Sequence, residues 1–178
     1  MSAQPVTFRA RDDRALAGLL SEGTQARGAL VVNGDTGFPR EFYLKFAAYC
    51  AQRGYHTLVP HGALWTGDSL PRGVFLQWRK WCLTAARFGP DLDDDLRDSQ
   101  FAAVRAPVLA WGFSDDPIAT PAAVEALLAS YPQAQIERRW TTPEDAGVRA
   151  IGHHGFFSER HRDLLWRGAL DWVDARCT

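Results

Sequence analysis

Two kinds of hydrophobic pattern alternate along the chain. Short continuous or alternating apolar runs predict β-strands, and longer stretches with apolar residues three or four positions apart predict helices. The predicted strands are residues 6–9, 15–20, 29–33, 55–59, 108–111 and 134–140. The predicted helices are residues 39–54, 74–87, 121–130 and 161–176. Strands that alternate with helices predict an α/β fold, with a mostly parallel sheet and helices on both faces.

Two segments near the N-terminus give more detail. The first two strands flank the polar turn 11–14, which predicts an antiparallel hairpin. Residues 29–33 (ALVVN) are continuously apolar, the pattern of a strand that is buried on both faces. No internal repeat or linker divides the chain, so we expect residues 1–178 to form a single domain.

Composition narrows the class of protein. The formal net charge of −1 gives no electrostatic reason to expect nucleic acid or an anionic membrane as a partner. Cys50, Cys82 and Cys177 show no C-x-x-C spacing, so we expect reduced thiols rather than disulfides or a zinc site. No apolar run has the length of a membrane span or a signal-peptide core. We therefore expect a cytoplasmic protein that has no metal and no cofactor, with an Arg-rich, bacterial-type composition.

Two aspartates follow a predicted strand in the second half of the chain. Asp115 and Asp116 lie just past the carboxyl end of strand 108–111, the edge at which open α/β sheets place catalytic groups. Adjacent carboxylates point in different directions, so only one of them can orient a histidine. The alternative is a solvated turn that caps the helix beginning near Pro121. Position alone leaves both interpretations open.

A histidine pair follows the last predicted strand. His153 and His154 lie between Gly152 and Gly155, and these glycines allow a loop that carries an imidazole back over the sheet edge. An imidazole is the natural general base at neutral pH, and it needs a carboxylate to fix its tautomer. A single histidine here would be an ordinary loop residue. Its pairing with an upstream acid favours a catalytic role.

These segments resemble the α/β-hydrolase superfamily, in its serine-esterase-like branch. Residues 106–119 (APVLAWGFSDDPIA) align without gaps with the family's pattern of a strand followed by an acid, which implies that Asp116 is the acid. The segment IGHHGFF is similar to the family's catalytic-histidine loop, which implies that His153 rather than His154 is the base.

The resemblance extends to the front half of the chain. Residues 30–55 are similar to the family's early strand, oxyanion-side loop and first helix. This similarity implies that the backbone N–H of Asp35 is an oxyanion donor. In total the resemblance covers roughly residues 6–59 and 74–178.

One family motif is missing from the sequence. The nucleophile elbow G-x-S-x-G occurs nowhere in the chain. In the family this elbow lifts a serine Oγ above the sheet and aims the next N–H at the oxyanion. Here residues 60–73 replace the elbow region, and residues 74–98 look like a lid-like helix and an acidic connector. The chain therefore looks like an internally shortened hydrolase.

Ser69 is the candidate nucleophile in place of the missing elbow serine. It lies in G-D-S-L, letters that coincide with the signature of GDSL esterases. That family carries them after its first strand, near its N-terminus, so a coincidence of four letters is the alternative. Cys82 falls in the Trp-rich helix, where a buried and inert thiol is the expected interpretation.

The resemblance implies a hydrolase that acts on carboxylic esters or related small acyl substrates through a His–Asp pair. Its activity should be impaired because the elbow is missing. The hypothesis from another class is a non-catalytic α/β-hydrolase-like scaffold or binding module. Loss of central strands also exposes a sheet edge, so a homodimer through that edge is a further hypothesis.

Overall fold

The computed structural model describes residues 3–10, 13, 15–34, 38–60, 72–84 and 100–176. The strands in these ranges are β1 (Gln4–Arg9), β2 (Ala15–Ser21), β3 (Gly28–Val31), β4 (Tyr55–Pro60), β5 (Pro107–Phe113) and β6 (Gln135–Thr141). The α-helices are α1 (Leu44–Gln52), α2 (Arg72–Leu83), α3 (Pro121–Leu128) and α4 (Arg167–Asp174). The α/β prediction is confirmed.

The chain divides into two compact units. The first unit comprises Met1–Pro71 and Phe156–Thr178, and the second comprises Arg72–Gly155. The single domain that the sequence predicts stays a prediction. The lid-like role of residues 74–98 also stays a prediction, and residues 85–99 lie outside the described ranges.

The first unit contains a four-stranded sheet in the order β1-β2-β4-β3. Strands β1 and β2 form the predicted antiparallel hairpin, which is confirmed. The mostly parallel sheet is wrong, because β2 also pairs antiparallel with β4, and only the β3–β4 pairing in this sheet is parallel. A hydrophobic run identifies a strand, but the direction of its neighbour depends on which distant segment packs beside it.

Strand β3 is less buried than its apolar sequence predicts. Exposed and half-buried residues alternate along it, and Val31 is 59% exposed. The prediction that it is buried on both faces is therefore wrong. The physical reason is position: β3 is the last strand in the order, and among the described strands it has only β4 as a neighbour. End strands are covered less completely than central ones.

Aromatic side chains form much of the core of the first unit. Tyr43 and Phe46, at the start of helix α1, pack edge-on against Phe157, with ring centroids 4.7 and 5.6 Å apart. Phe46 also packs against Trp166, which is 1% exposed and donates its indole N–H to a backbone carbonyl. Edge-to-face contacts of this kind add to the hydrophobic stabilisation.

The C-terminal segment is helical, as predicted, but its hydrogen-bond pattern changes along its length. A 3-10 turn at Glu159–His161 leads into a π-type turn at Arg162–Trp166 and then into α4. Arg27, Arg53 and Tyr55 all bond the carboxylate of Asp174 in α4. These bonds connect α4 to the first residue of β4 and to residues just before β3 and β4.

The second unit contains a parallel pair of strands. Strands β5 and β6 pair in register from Pro107↔Gln135 to Phe113↔Thr141, and α3 connects them along the chain. A two-pronged ion pair from Arg138 to Glu125, at 2.6 and 2.9 Å, links β6 to α3. No helix within the described ranges is long and apolar enough to cross a membrane.

Candidate active site

Asp116 is fixed by the turn that follows β5. Its backbone N–H donates to the Phe113 carbonyl at 3.2 Å, which closes the turn. Its side chain is 4% exposed, and Oδ1 accepts the backbone N–H groups of Ile118 at 2.8 Å and Ala119 at 3.0 Å. This local hydrogen bonding is typical of aspartate in turns, and it holds the carboxylate in one orientation.

The alternative interpretation, in which the two aspartates cap the following helix, is wrong. Thr120 is the N-cap of α3, and its Oγ1 accepts the N–H of Ala123 at 3.3 Å. Threonine is a preferred N-cap residue, and Pro121 occupies the first helical turn behind it. The helix therefore has its own cap, and the two carboxylates make other contacts.

His153 contacts the second oxygen of the Asp116 carboxylate. The distance from His153 Nδ1 to Asp116 Oδ2 is 2.8 Å, and the His153 side chain is 27% exposed. The ring of His154 packs against that of His153, with centroids 4.6 Å apart at 71°. The Asp116 carboxylate accepts a hydrogen bond from Nδ1 of His153. The other ring nitrogen, Nε2, lies on the side of the imidazole that faces away from Asp116. A bond of this kind selects the tautomer that is protonated on Nδ1.

Asp115 bonds the backbone of the histidine loop. Its Oδ2 accepts the N–H of Ile151 at 2.8 Å, and its two oxygens accept the N–H of Gly152 at 3.0 and 3.1 Å. Gly152 has φ +68°, a left-handed conformation that suits glycine. No sequence motif identifies the Asp115 contact. The one available signal was that adjacent carboxylates point in different directions.

Both carboxylates are stabilised as anions. For Asp116, burial pushes the pKa up, but the hydrogen bonds from His153, Ala119 and Ile118 outweigh it and lower the pKa below its ordinary value. For Asp115, burial also raises the pKa, and the amide bonds from the histidine loop again lower it overall.

Several predicted residues lie outside the described ranges. Ser69 and Asp35 are among them, so the nucleophile and the oxyanion donor stay predictions. The side chain of Cys82 is likewise not described. Within the described ranges, no group of three His, Cys, Asp or Glu residues is arranged to hold a metal ion.

Solved structures resemble this chain, although no family model and no curated protein matches it. An esterase domain from Rhodothermus marinus is 13% identical, with a TM-score of 0.57 over 97% of this chain and 98% of that chain. A dienelactone hydrolase-like promiscuous phosphotriesterase from metagenomic libraries is 12% identical, with a TM-score of 0.56 over 98% of this chain and 99% of that one.

A third structure is similar as well. An α/β serine hydrolase without a lid, from Xanthomonas campestris, is 13% identical, with a TM-score of 0.52 over 99% of this chain and 95% of that chain. At such identities the likeness concerns the fold alone. The chain therefore has an α/β-hydrolase-like fold.

Proposed function

We propose that this protein is a hydrolase of carboxylic esters or related small acyl substrates. His153 is its general base, and Asp116 is the carboxylate that orients the imidazole. The observation that carries the proposal is the 2.8 Å contact from His153 Nδ1 to Asp116 Oδ2. The α/β-hydrolase-like fold supports it, because the acid follows β5 and the base follows β6 in the same order along the chain as in hydrolases of this fold.

The reaction requires a hydroxyl nucleophile, and Ser69 is our candidate. Its oxygen would bond the ester carbonyl carbon while its proton passes to His153 Nε2. The imidazolium would then protonate the leaving alcohol as the C–O bond breaks. Water would repeat the cycle on the acyl-enzyme, releasing the carboxylic acid and restoring the hydroxyl. The N–H of Asp35 is the candidate donor to the oxyanion.

The expected activity is below that of an intact triad. Loss of a nucleophile typically costs about 10⁶-fold in turnover. What remains is roughly 10³–10⁴-fold over water, from binding and the oxyanion hole. Activity above that background therefore requires that Ser69 act as the nucleophile. A cytoplasmic location and the absence of nucleic-acid or membrane partners stay predictions.

The second candidate function is a non-catalytic α/β-hydrolase-like scaffold or binding module. The observation that favours it is the absence of G-x-S-x-G from the full sequence. In such a protein the contact between His153 and Asp116 would stabilise a loop rather than activate a nucleophile.

Labelling with a fluorophosphonate probe, followed by peptide mapping, separates the two functions. For the hydrolase we expect one labelled serine in the wild type, on the peptide that contains Ser69. The label should be lost in Ser69→Ala and in His153→Ala, and it should persist in the matched control His154→Gln. Circular dichroism should show that each variant is folded. A well-folded wild type that takes up no label supports the scaffold instead.

A further inference from the structure

We propose that Asp115 is a positioning residue, which holds the loop of His153 so that the imidazole meets Asp116. This inference deepens the proposed function and rests on it, since it assigns the residue that keeps the general base in place. Asp115 touches the backbone beside His153 rather than the reacting atoms.

The contact geometry is the first support. The two Asp115 oxygens accept two successive amides, of Ile151 and Gly152, at 2.8 to 3.1 Å. Gly152 directly precedes His153, so the two amide N–H groups that Asp115 binds belong to the two residues before the one that carries the imidazole. Both contacts join residues 36 or 37 positions apart in sequence, and so they tie the β5 turn to the loop that follows β6.

The conformation of the clamped loop is the second support. Gly152 has φ +68°. Glycine reaches this conformation at low cost, but it also reaches many others, so its backbone needs an external contact to stay in one state. The charged acceptor of Asp115 supplies that contact, because hydrogen bonds to a carboxylate are stronger than neutral ones.

The third support is that Asp115 and Asp116 bind different parts of the same loop. In one turn, Asp115 bonds the backbone of the histidine loop and Asp116 bonds its imidazole. The turn therefore holds both the backbone just before His153 and the imidazole of His153. The amide bonds also lower the pKa of Asp115, so the clamp is anionic at neutral pH.

Removal of the clamp should misplace the imidazole. In Asp115→Ala the amides of Ile151 and Gly152 lose this acceptor, and the loop is held less firmly to the β5 turn. A misplacement of about 1 Å costs on the order of 10²-fold in rate. Asp115→Asn keeps one oxygen that can accept an N–H, so its effect should be intermediate.

The test is the tautomer of His153, read by two-bond ¹H–¹⁵N NMR on the full-length ¹⁵N-labelled chain. We expect the wild type to carry the proton on Nδ1, and Asp115→Ala to gain a population protonated on Nε2. Asp145→Ala is the matched control: Asp145 also accepts a backbone amide of the same unit, that of Thr142 at 3.2 Å. The control should keep the wild-type tautomer. If Asp115→Ala keeps it too, while folded, the positioning role is refuted.

The same variants separate this inference from the hydrolase proposal. A chain that takes up no fluorophosphonate, but whose His153 tautomer changes in Asp115→Ala, refutes the hydrolase and supports the clamp. A chain that is labelled at equal rates in the wild type and in Asp115→Ala refutes the clamp and supports the hydrolase. If Asp115→Ala does not fold, Asp115→Asn decides: an altered tautomer supports the clamp, and an unaltered one overturns it.

Discussion

Gly152 and Gly147 lie in the same loop, and both have a positive φ angle. Their φ angles are +68° and +64°. An added Cβ at either position would meet no described atom within 4 Å beyond the chain neighbours. The cost of an alanine there is therefore backbone strain rather than collision. Of the two, only Gly152 donates its N–H to Asp115. Comparing alanine at both positions therefore distinguishes the effect of backbone strain from an effect on the proposed site.

Alanine at the two positions should have equal effects on stability and unequal effects on activity. We expect Gly152→Ala and Gly147→Ala each to lower the free energy of unfolding by about 1–2 kcal/mol, the cost of a left-handed conformation with a Cβ. Only Gly152→Ala should also slow fluorophosphonate labelling, because the strain falls beside His153. Urea unfolding and labelling rates measure the two effects. Equal labelling rates in the two variants would argue against a special role for Gly152.

Single residues also show what the sequence could and could not predict. Asp116 and His153 could be paired from their order and from the strands they follow, because both side chains belong to recognisable segments. The partner of Asp115 could not be predicted in the same way. It bonds backbone amides, and every non-proline residue carries such an amide. Only the folded loop determines which two amides reach the carboxylate.

One carboxylate of helix α4 accepts bonds from three residues of the first unit. The Asp174 side chain is 22% exposed and bonds Arg27 at 2.7 Å, Arg53 at 3.2 Å and the hydroxyl of Tyr55. One turn earlier, Asp171 is 58% exposed and bonds Arg53 alone among these residues, at 3.0 Å. The two aspartates thus form a natural comparison between a half-buried network and a surface ion pair.

Replacement of the two aspartates should have different costs. We expect Asp174→Ala to lower the free energy of unfolding by about 1–3 kcal/mol, because its half-buried carboxylate accepts bonds from Arg27, Arg53 and the Tyr55 hydroxyl, and all three are lost. Asp171→Ala should cost about 0–1 kcal/mol, as is usual for exposed pairs. Urea unfolding at neutral pH measures both. A larger loss in Asp171→Ala would contradict the assignment.

The Asp174 contribution should also depend on pH in one direction. Burial raises the pKa of Asp174, and the bonds from Tyr55 and Arg27 outweigh it, so the folded-state pKa lies below its ordinary value of 3.8. The unfolded state therefore binds the proton more readily. The stability difference between wild type and Asp174→Ala should be full above pH 3.8 and shrink as the pH falls through the lower folded value.

The positions of the strands and helices were easier to predict than their burial or their hydrogen-bond pattern. The apolar pattern located the strands and helices because side-chain periodicity is a local property. The C-terminal helix was predicted as one element, and the structure has a 3-10 turn, a π-type turn and α4 there. Leu165, Trp166 and Leu170 are buried throughout this change of period, so the apolar pattern does not reveal it. The predicted burial of β3 on both faces was wrong, because burial depends on the neighbouring segments, and the sequence of the strand does not specify them.

For the whole chain, the order of the predicted elements is enough to predict the fold class. It is not enough to predict which strands pair in the sheet, or in which direction. Strand directions are set by which distant segments pair, and β2 joins β4 in a way that its own residues do not specify. The homodimer through an exposed edge stays a prediction. Strands β1 and β3 are the two ends of the described four-stranded sheet, so either strand offers an edge for such pairing.

The proposed hydrolase activity requires that the Asp116 carboxylate support catalysis by His153. Asp116→Asn keeps the shape of the side chain and removes its charge, so the value of kcat/KM for a 4-nitrophenyl ester is the decisive quantity. We predict a fall of roughly 10²–10⁴-fold relative to the wild type, the size of a general-base contribution. The control Asp145→Asn should hydrolyse the ester at the wild-type rate. Equal rates for wild type and folded Asp116→Asn would show that the His153–Asp116 pair does no catalysis.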